Sequence, residues 1–145
     1  MTTHSSIEHH PDLAEMRTRF ERVTSTPAAQ AVEALALITG LYLAASPWIA
    51  GFSVLTALTV NNLIAGLAYC LCMSGLGSAY ERTHAMAWTA LAIGAWTIVA
   101  PWVIAGNVDT TRTVVNNIIT GIVACLLALA MAAMAGRNRV GRTAR

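Results

Sequence analysis

Four long apolar segments dominate this chain, and their length constrains the fold more than any other feature. They run from Ala28 to Trp48, Thr56 to Leu76, Ala85 to Trp102 and Val114 to Ala135. A helix needs about 20 predominantly apolar residues to cross the roughly 30 Å hydrocarbon core of a bilayer. A chain in lipid must satisfy its own backbone hydrogen bonds, and no segment alternates with the period of two of a barrel strand. The sequence therefore predicts an all-α membrane protein with four transmembrane helices.

Composition agrees with this prediction and excludes one class of partner. The 145 residues are 56% hydrophobic and only 11% charged, which is too apolar for a water-soluble domain of this size. The net charge of +2 is too small and too scattered for binding along a phosphate backbone. We therefore expect the lipid bilayer as a partner and no nucleic acid.

The arginines predict the orientation of the four helices. All nine cations are arginine. Three lie before the first segment, Arg82 lies between the second and third segments, and four follow the fourth segment. Positive charge near helix ends is retained on the cytoplasmic side. Both termini are therefore predicted to be cytoplasmic, with Gly51 and Asp109 on the outer side.

The residues before the first segment show a helical pattern of their own. Leu13, Met16, Phe20 and Val23 recur at spacings of three and four among charged residues. This predicts a short N-terminal amphipathic helix near residues 12–24 on the inner membrane surface. A partly ordered tail is the alternative, because so short a helix is marginal without a partner.

The chain also contains an internal repeat. The stretch from Gly40 to Ala50 aligns with the stretch from Gly94 to Ile104 at an offset of 54, and both contain a Pro-Trp pair. After one inserted residue, Asn61 and Asn62 align with Asn116 and Asn117 at an offset of 55. The sequence thus predicts two tandem two-helix repeats of the same topology, related by a pseudo-twofold axis along the membrane normal.

These repeated residues resemble a known family. Ser46, Pro47 and Trp48 at a helix end, matched by Ala100, Pro101 and Trp102, resemble the SPW repeat family of small bacterial membrane proteins over residues 31–135. The second copy has Ala100 in place of Ser. The resemblance implies a two-helix repeat and a multi-pass location in the bacterial inner (plasma) membrane, and it implies no defined activity.

Domain boundaries follow from the segments and the repeat. Residues 1–27 are predicted to be a cytoplasmic tail, and residues 28–80 the first SPW-type repeat. Residues 81–136 form the second repeat, and residues 137–145 a basic cytoplasmic tail.

The repeated Pro and Asn residues are the candidate functional positions. Pro47 and Pro101 cannot donate a hydrogen bond to the carbonyls of Leu43 and Thr97, so another group must donate at membrane depth. The Asn pairs lie at similar depth, and their amides could tie these helix ends to neighbouring helices. Alternatively, the four amides line a polar pocket or pore mouth near the outer face.

The remaining features favour packing over chemistry. Small-residue stripes such as Ala36-Gly40-Ala44 and Ala90-Gly94 predict close helix contacts, some of them with a second copy or with another membrane protein. We identify no catalytic, cofactor-binding or metal-binding residue. The sequence favours a non-enzymatic accessory or scaffold protein, and a small channel or transporter lined by the paired Asn residues is the alternative.

Overall fold

The computed structural model describes residues 27–74, 80–106 and 111–143, together with residues 11, 14 and 15. It contains four long helices: α1 (Pro27–Ile49), α2 (Thr56–Met73), α3 (Tyr80–Ile104) and α4 (Thr111–Thr143). Each includes a stretch long and apolar enough to cross a membrane, and the described residues contain no strand. The chain divides into residues 1–31 and residues 32–145, and all the contacts described below lie within the second part.

The distribution of large and small side chains is the reverse of that in a water-soluble bundle. The buried side chains are mostly Ala, Gly, Thr, Ser and Asn, whereas Leu, Ile, Val and Trp face outward on every helix. Ile38, Ile64, Val103 and Leu126 are each about 60% exposed. So extensive an apolar surface requires an apolar solvent, and small interior residues are typical of helix contacts in membranes. The fold is that of a multi-pass membrane protein.

All four helices contribute to one buried cluster. It joins small residues of α1, α3 and α4 to two larger side chains of α2, and consists of Ala36, Tyr69, Met73, Ala90, Ala124 and Ala128. The hydroxyl of the fully buried Tyr69 donates to the Ala124 carbonyl at 2.7 Å. This bond satisfies the phenol and holds α2 against α4.

Glycines bring α1 and α2 into backbone contact. A Cβ added to Gly66 would lie 2.5 Å from the Gly40 carbonyl oxygen and 2.5 Å from the Ala44 nitrogen. A Cβ added to Gly40 would lie 2.5 Å from the Cys70 Sγ. No side chain larger than hydrogen fits at either position without movement.

The same contact recurs between α3 and α4. A Cβ on Gly121 would lie 2.8 Å from the Gly94 carbonyl oxygen, and a Cβ on Gly94 would lie 2.8 Å from the Cys125 Sγ. Gly94 and Gly121 are therefore the counterparts of Gly40 and Gly66.

This packing corrects one expectation about the small-residue stripes. Their members Ala36, Gly40, Ala44, Ala90 and Gly94 are all buried within the chain. None is free to face a second copy or another protein, because the close approach of helices that such residues permit is already used internally.

Glycine also ends α1 and α3. Gly51 and Gly106, 55 residues apart, have φ angles of +81° and +63°, and they are the positive-φ residues of the described backbone. After Gly51, the Phe52 amide donates to the Pro47 carbonyl at 2.9 Å, which is the six-to-one bond of a Schellman motif. Phe52 is buried against Leu58 of α2 and Ala100 of α3, so the α1–α2 connection folds back onto the bundle.

The last helix is longer than the sequence predicts. α4 continues to Thr143 instead of ending near Ala135, so most of the predicted basic tail is helical. Arginine is a good helix former, and positive charge near a helix C-terminus is favourable, so the helix persists beyond its apolar part. The predicted amphipathic helix near residues 12–24 lies almost entirely outside the described residues.

Candidate functional site: a polar network joining the repeats

The two Asn pairs occupy equivalent places in α2 and α4. α2 begins at Thr56 and α4 at Thr111, so Asn61 and Asn116 each lie five residues after the helix start. Asn62 and Asn117 follow them and are completely buried, with 0% exposure. The repeat seen in the sequence therefore places four amides at one level of the structure.

Asn62 and Asn117 form the centre of the network. The Asn62 Nδ2 donates to the Asn117 Oδ1 at 3.0 Å, and the Asn117 Nδ2 donates back to the Asn62 Oδ1 at 3.5 Å. An amide carries both donors and acceptors, so two copies of one residue type can satisfy each other. Two residues separated by 55 positions are thus paired face to face.

The neighbouring Asn residues extend this pair on both sides. The Asn61 Nδ2 donates to the Asn62 Oδ1 at 3.3 Å, and the Asn116 Nδ2 donates to the Asn117 Oδ1 at 3.4 Å. Each central oxygen therefore accepts from two amides, one in its own helix and one in the opposite helix.

Two aromatic side chains complete the network from outside. The Tyr42 hydroxyl donates to the Asn116 Oδ1 at 2.7 Å, and the Trp96 indole Nε1 donates to the Asn61 Oδ1 at 2.8 Å. Tyr42 and Trp96 are 39% and 41% exposed, so each ring faces outward while its polar tip points into the bundle. This use of an apolar ring with one donor is typical of residues between an apolar and a polar environment.

These aromatic contacts cross between the repeats. Tyr42 in α1 bonds to α4, and Trp96 in α3 bonds to α2. Tyr42 and Trp96 are 54 residues apart, so they are equivalent positions of the sequence repeat. Sequence reasoning missed both residues, although an aromatic donor at the same position of each repeat was the available signal.

Ser46 links the network to the proline of α1. The Ser46 hydroxyl donates to the Leu43 carbonyl at 2.8 Å, and it accepts from the Asn62 Nδ2 at 3.3 Å. Leu43 is the residue whose carbonyl Pro47 leaves without its usual helical donor. The direct donor is thus the serine next to the proline, and Asn62 acts through it.

The second repeat differs at this position. Ala100 stands where the first repeat has Ser46, and an alanine has no hydroxyl to offer the Thr97 carbonyl. Pro101 and Ala100 are buried. The two repeats therefore contribute the same amides to the network, but only the first repeat contributes a serine hydroxyl.

The paired tryptophans lie outside the network. Trp48 and Trp102 are 58% and 49% exposed at the ends of α1 and α3. Exposed tryptophan at helix ends is typical of a membrane–water interface. Of the motif residues, the structure brings together Ser46 and the four Asn, and it leaves both Trp on the surface.

The chemistry of the network is hydrogen bonding. Its donors and acceptors are amides, hydroxyls and one indole, and no carboxylate, imidazole or thiol side chain takes part in its bonds. Among the described residues, no group of three His, Cys, Asp or Glu is placed to hold a metal ion. These groups tie helices together through bonds that are worth about 1 kcal/mol each in membrane proteins.

Fold and site define a polytopic α-helical membrane protein whose two halves are joined by an internal amide network. Residues 30–131 match the family model of the SPW repeat domain, so the chain belongs to the SPW repeat family. Comparison with curated proteins and with solved structures gave no match.

Proposed function

We propose that this protein is a non-enzymatic accessory or scaffold protein of the bacterial inner membrane. One observation carries the proposal: the polar side chains that could have lined a lumen are bonded to one another. Asn62 and Asn117 are fully buried and exchange hydrogen bonds at the centre of the bundle. Such an arrangement holds the two repeats as one stable body.

The outer surface is what such a body offers to other molecules. It is almost entirely apolar along the helices, with Leu67 and Leu71 of α2 and Ile122 and Leu126 of α4 each at least 46% exposed. Helices in membranes associate through packing and a few polar bonds. A second copy or another membrane protein is the proposed partner, held against this surface.

The arginines support cytoplasmic termini within this proposal. α4 ends among Arg137, Arg139 and Arg142, whereas the connection between α1 and α2 contains no charge. Because positive charge is retained on the cytoplasmic side, the Pro-Trp ends of α1 and α3 lie on the outer side of the membrane in this proposal.

Photo-cross-linking in native membranes tests the proposal. The chain has no lysine, so amine-reactive reagents are unsuitable, and a photoreactive phenylalanine analogue is introduced instead at Leu67 or Ile122. These two positions are 55 residues apart and are 48% and 46% exposed, which makes them a matched pair. Val54, 85% exposed in the α1–α2 connection, is the control position outside the helices.

A reproducible adduct with a second copy, or with one membrane protein identified by mass spectrometry, is the expected result at Leu67 or Ile122 and not at Val54. The channel alternative is tested on the same material in liposomes. Selective ion or solute flux that Asn62→Leu abolishes, together with adducts to lipid alone, would replace the scaffold proposal by a channel lined by the Asn pairs.

A further inference from the structure

A groove lies between the C-terminal end of α1 and the N-terminal end of α4. Its volume is about 540 Å³, and Ile49, Val115 and Ile119 supply its apolar surface. Arg112 lines the same groove. In the part of the chain that the structure describes, Arg112 is the one cation at this end of the bundle.

The repeat provides in α2 a second copy of the α4 residues of this groove, with a single change. Four of the five lining residues on α4 recur unchanged in α2 at an offset of 55, among them Val60 for Val115 and Ile64 for Ile119. Exposure matches as well, at 47% and 46% for the two valines and 61% and 58% for the two isoleucines. The fifth residue is Arg112, and its counterpart is Ala57. The α2 residues thus differ from their α4 counterparts only in the absence of a guanidinium group.

We infer that the Arg112 groove binds one phospholipid, with the phosphate on the guanidinium group and an acyl chain along Ile49, Val115 and Ile119. Guanidinium is planar and pairs with phosphate oxygens in a bidentate manner. A guanidinium group beside apolar side chains at a helix end offers one partner to a head-group phosphate and another to an acyl chain. The apolar surface matches an acyl chain and offers nothing to a free phosphate ion, so the occupant is a lipid.

Native mass spectrometry of the full-length protein in mild detergent tests this site, with phosphatidylglycerol as the added lipid. We expect the unaltered protein to bind one phosphatidylglycerol, and Arg112→Ala to weaken that binding about fivefold, the upper end of what one exposed ion pair contributes. Ala57→Arg places the guanidinium in the duplicate set and should add a second bound lipid. Diacylglycerol, which has acyl chains without phosphate, and inorganic phosphate are the two competitors.

The inference is overturned if Arg112→Ala binds phosphatidylglycerol as tightly as the unaltered protein does, or if Ala57→Arg adds no second lipid. Displacement of the lipid by millimolar inorganic phosphate would also overturn it, because the acyl chain would then contribute nothing. Ala57→Arg is a gain of binding, so it is informative even if Arg112→Ala lowers the yield. The result does not depend on the scaffold proposal, since lipid binding is measured without any partner protein.

Discussion

Asn62 and Asn117 pair with each other through their side-chain amides, at 3.0 Å in one direction and 3.5 Å in the other, across a separation of 55 residues. Both are fully buried, and both belong to the same position of the sequence repeat. The bond that joins the two repeats is therefore made by one residue type meeting its own counterpart. Tyr42 and Trp96 reinforce this bond from opposite sides, each reaching from one repeat into the other.

Replacing either central Asn should destabilise the fold. We expect Asn62→Leu and Asn117→Leu each to lower the free energy of unfolding by about 1 to 2 kcal/mol, because each removes the bonds across the repeats and leaves the opposite buried amide without its partner in the other repeat. The double variant should cost less than the sum, since it removes both amides together. Unfolding in mixed detergent–SDS micelles, followed by circular dichroism, measures all three variants.

Ile64→Leu is the control for these variants, because Ile64 lies in the same helix and is 61% exposed. It should change stability by less than about 0.5 kcal/mol. If the loss of unfolding free energy in the double variant equals the sum of the two single losses, the two amides do not interact in the micelle-bound protein.

Glycine contacts within each repeat should tolerate no added carbon. We expect Gly66→Ala to destabilise by about 2 to 3 kcal/mol, because its Cβ would meet the backbone of α1 and neither helix can move away without losing contacts. Gly136→Ala is the matched control, since nothing lies within 4 Å of a Cβ there. Thermal denaturation in detergent compares the two. Equal stability of both variants would contradict the close packing of α1 against α2.

The first repeat has a serine hydroxyl next to its proline, and the second repeat has none. The two reciprocal substitutions should therefore change the stability of the protein in different directions. Ser46→Ala should cost about 1 kcal/mol, because the Leu43 carbonyl loses its donor. Ala100→Ser should be neutral or stabilise by up to about 1 kcal/mol, because it gives the Thr97 carbonyl the donor that Pro101 removes. The SDS unfolding midpoint reports both changes. A strongly destabilised Ala100→Ser protein would show that the second proline is accommodated by a different device.

Orientation is open to direct measurement by thiol labelling. Cys70, Cys72 and Cys125 are first replaced by Ala, and a single Cys is then introduced at Val54, which is 85% exposed. We prefer Val54 to Gly51, because Gly51 has a φ of +81° that a cysteine would strain. An impermeant reagent should label Val54→Cys in intact cells and should label a Cys at Arg82 only after lysis. The reverse pattern would invert the topology.

The sequence by itself determined the fold class and the four spans. Length and the absence of charge are enough, because a chain in lipid can satisfy its backbone only by forming helices or a closed barrel. Sequence self-similarity also identified Pro47 and Pro101, and the two Asn pairs, as related positions, since identical residues at offsets of 54 and 55 need no structure to be recognised. The match of residues 30–131 to the SPW repeat domain agrees with that reading.

Only the tertiary structure decided which groups meet. Tyr42 and Trp96 read as ordinary aromatic residues in the sequence, yet each donates to an Asn of the opposite repeat. The small-residue stripes read equally well as surfaces for a partner, and the structure buries them between α1 and α2 and between α3 and α4. Periodicity shows which residues share a helix face, but the helix that covers that face depends on contacts between distant segments, from 26 residues for Gly40 and Gly66 to 74 for Tyr42 and Asn116. In lipid, where large apolar side chains can face outward without cost, local pattern does not reveal those contacts.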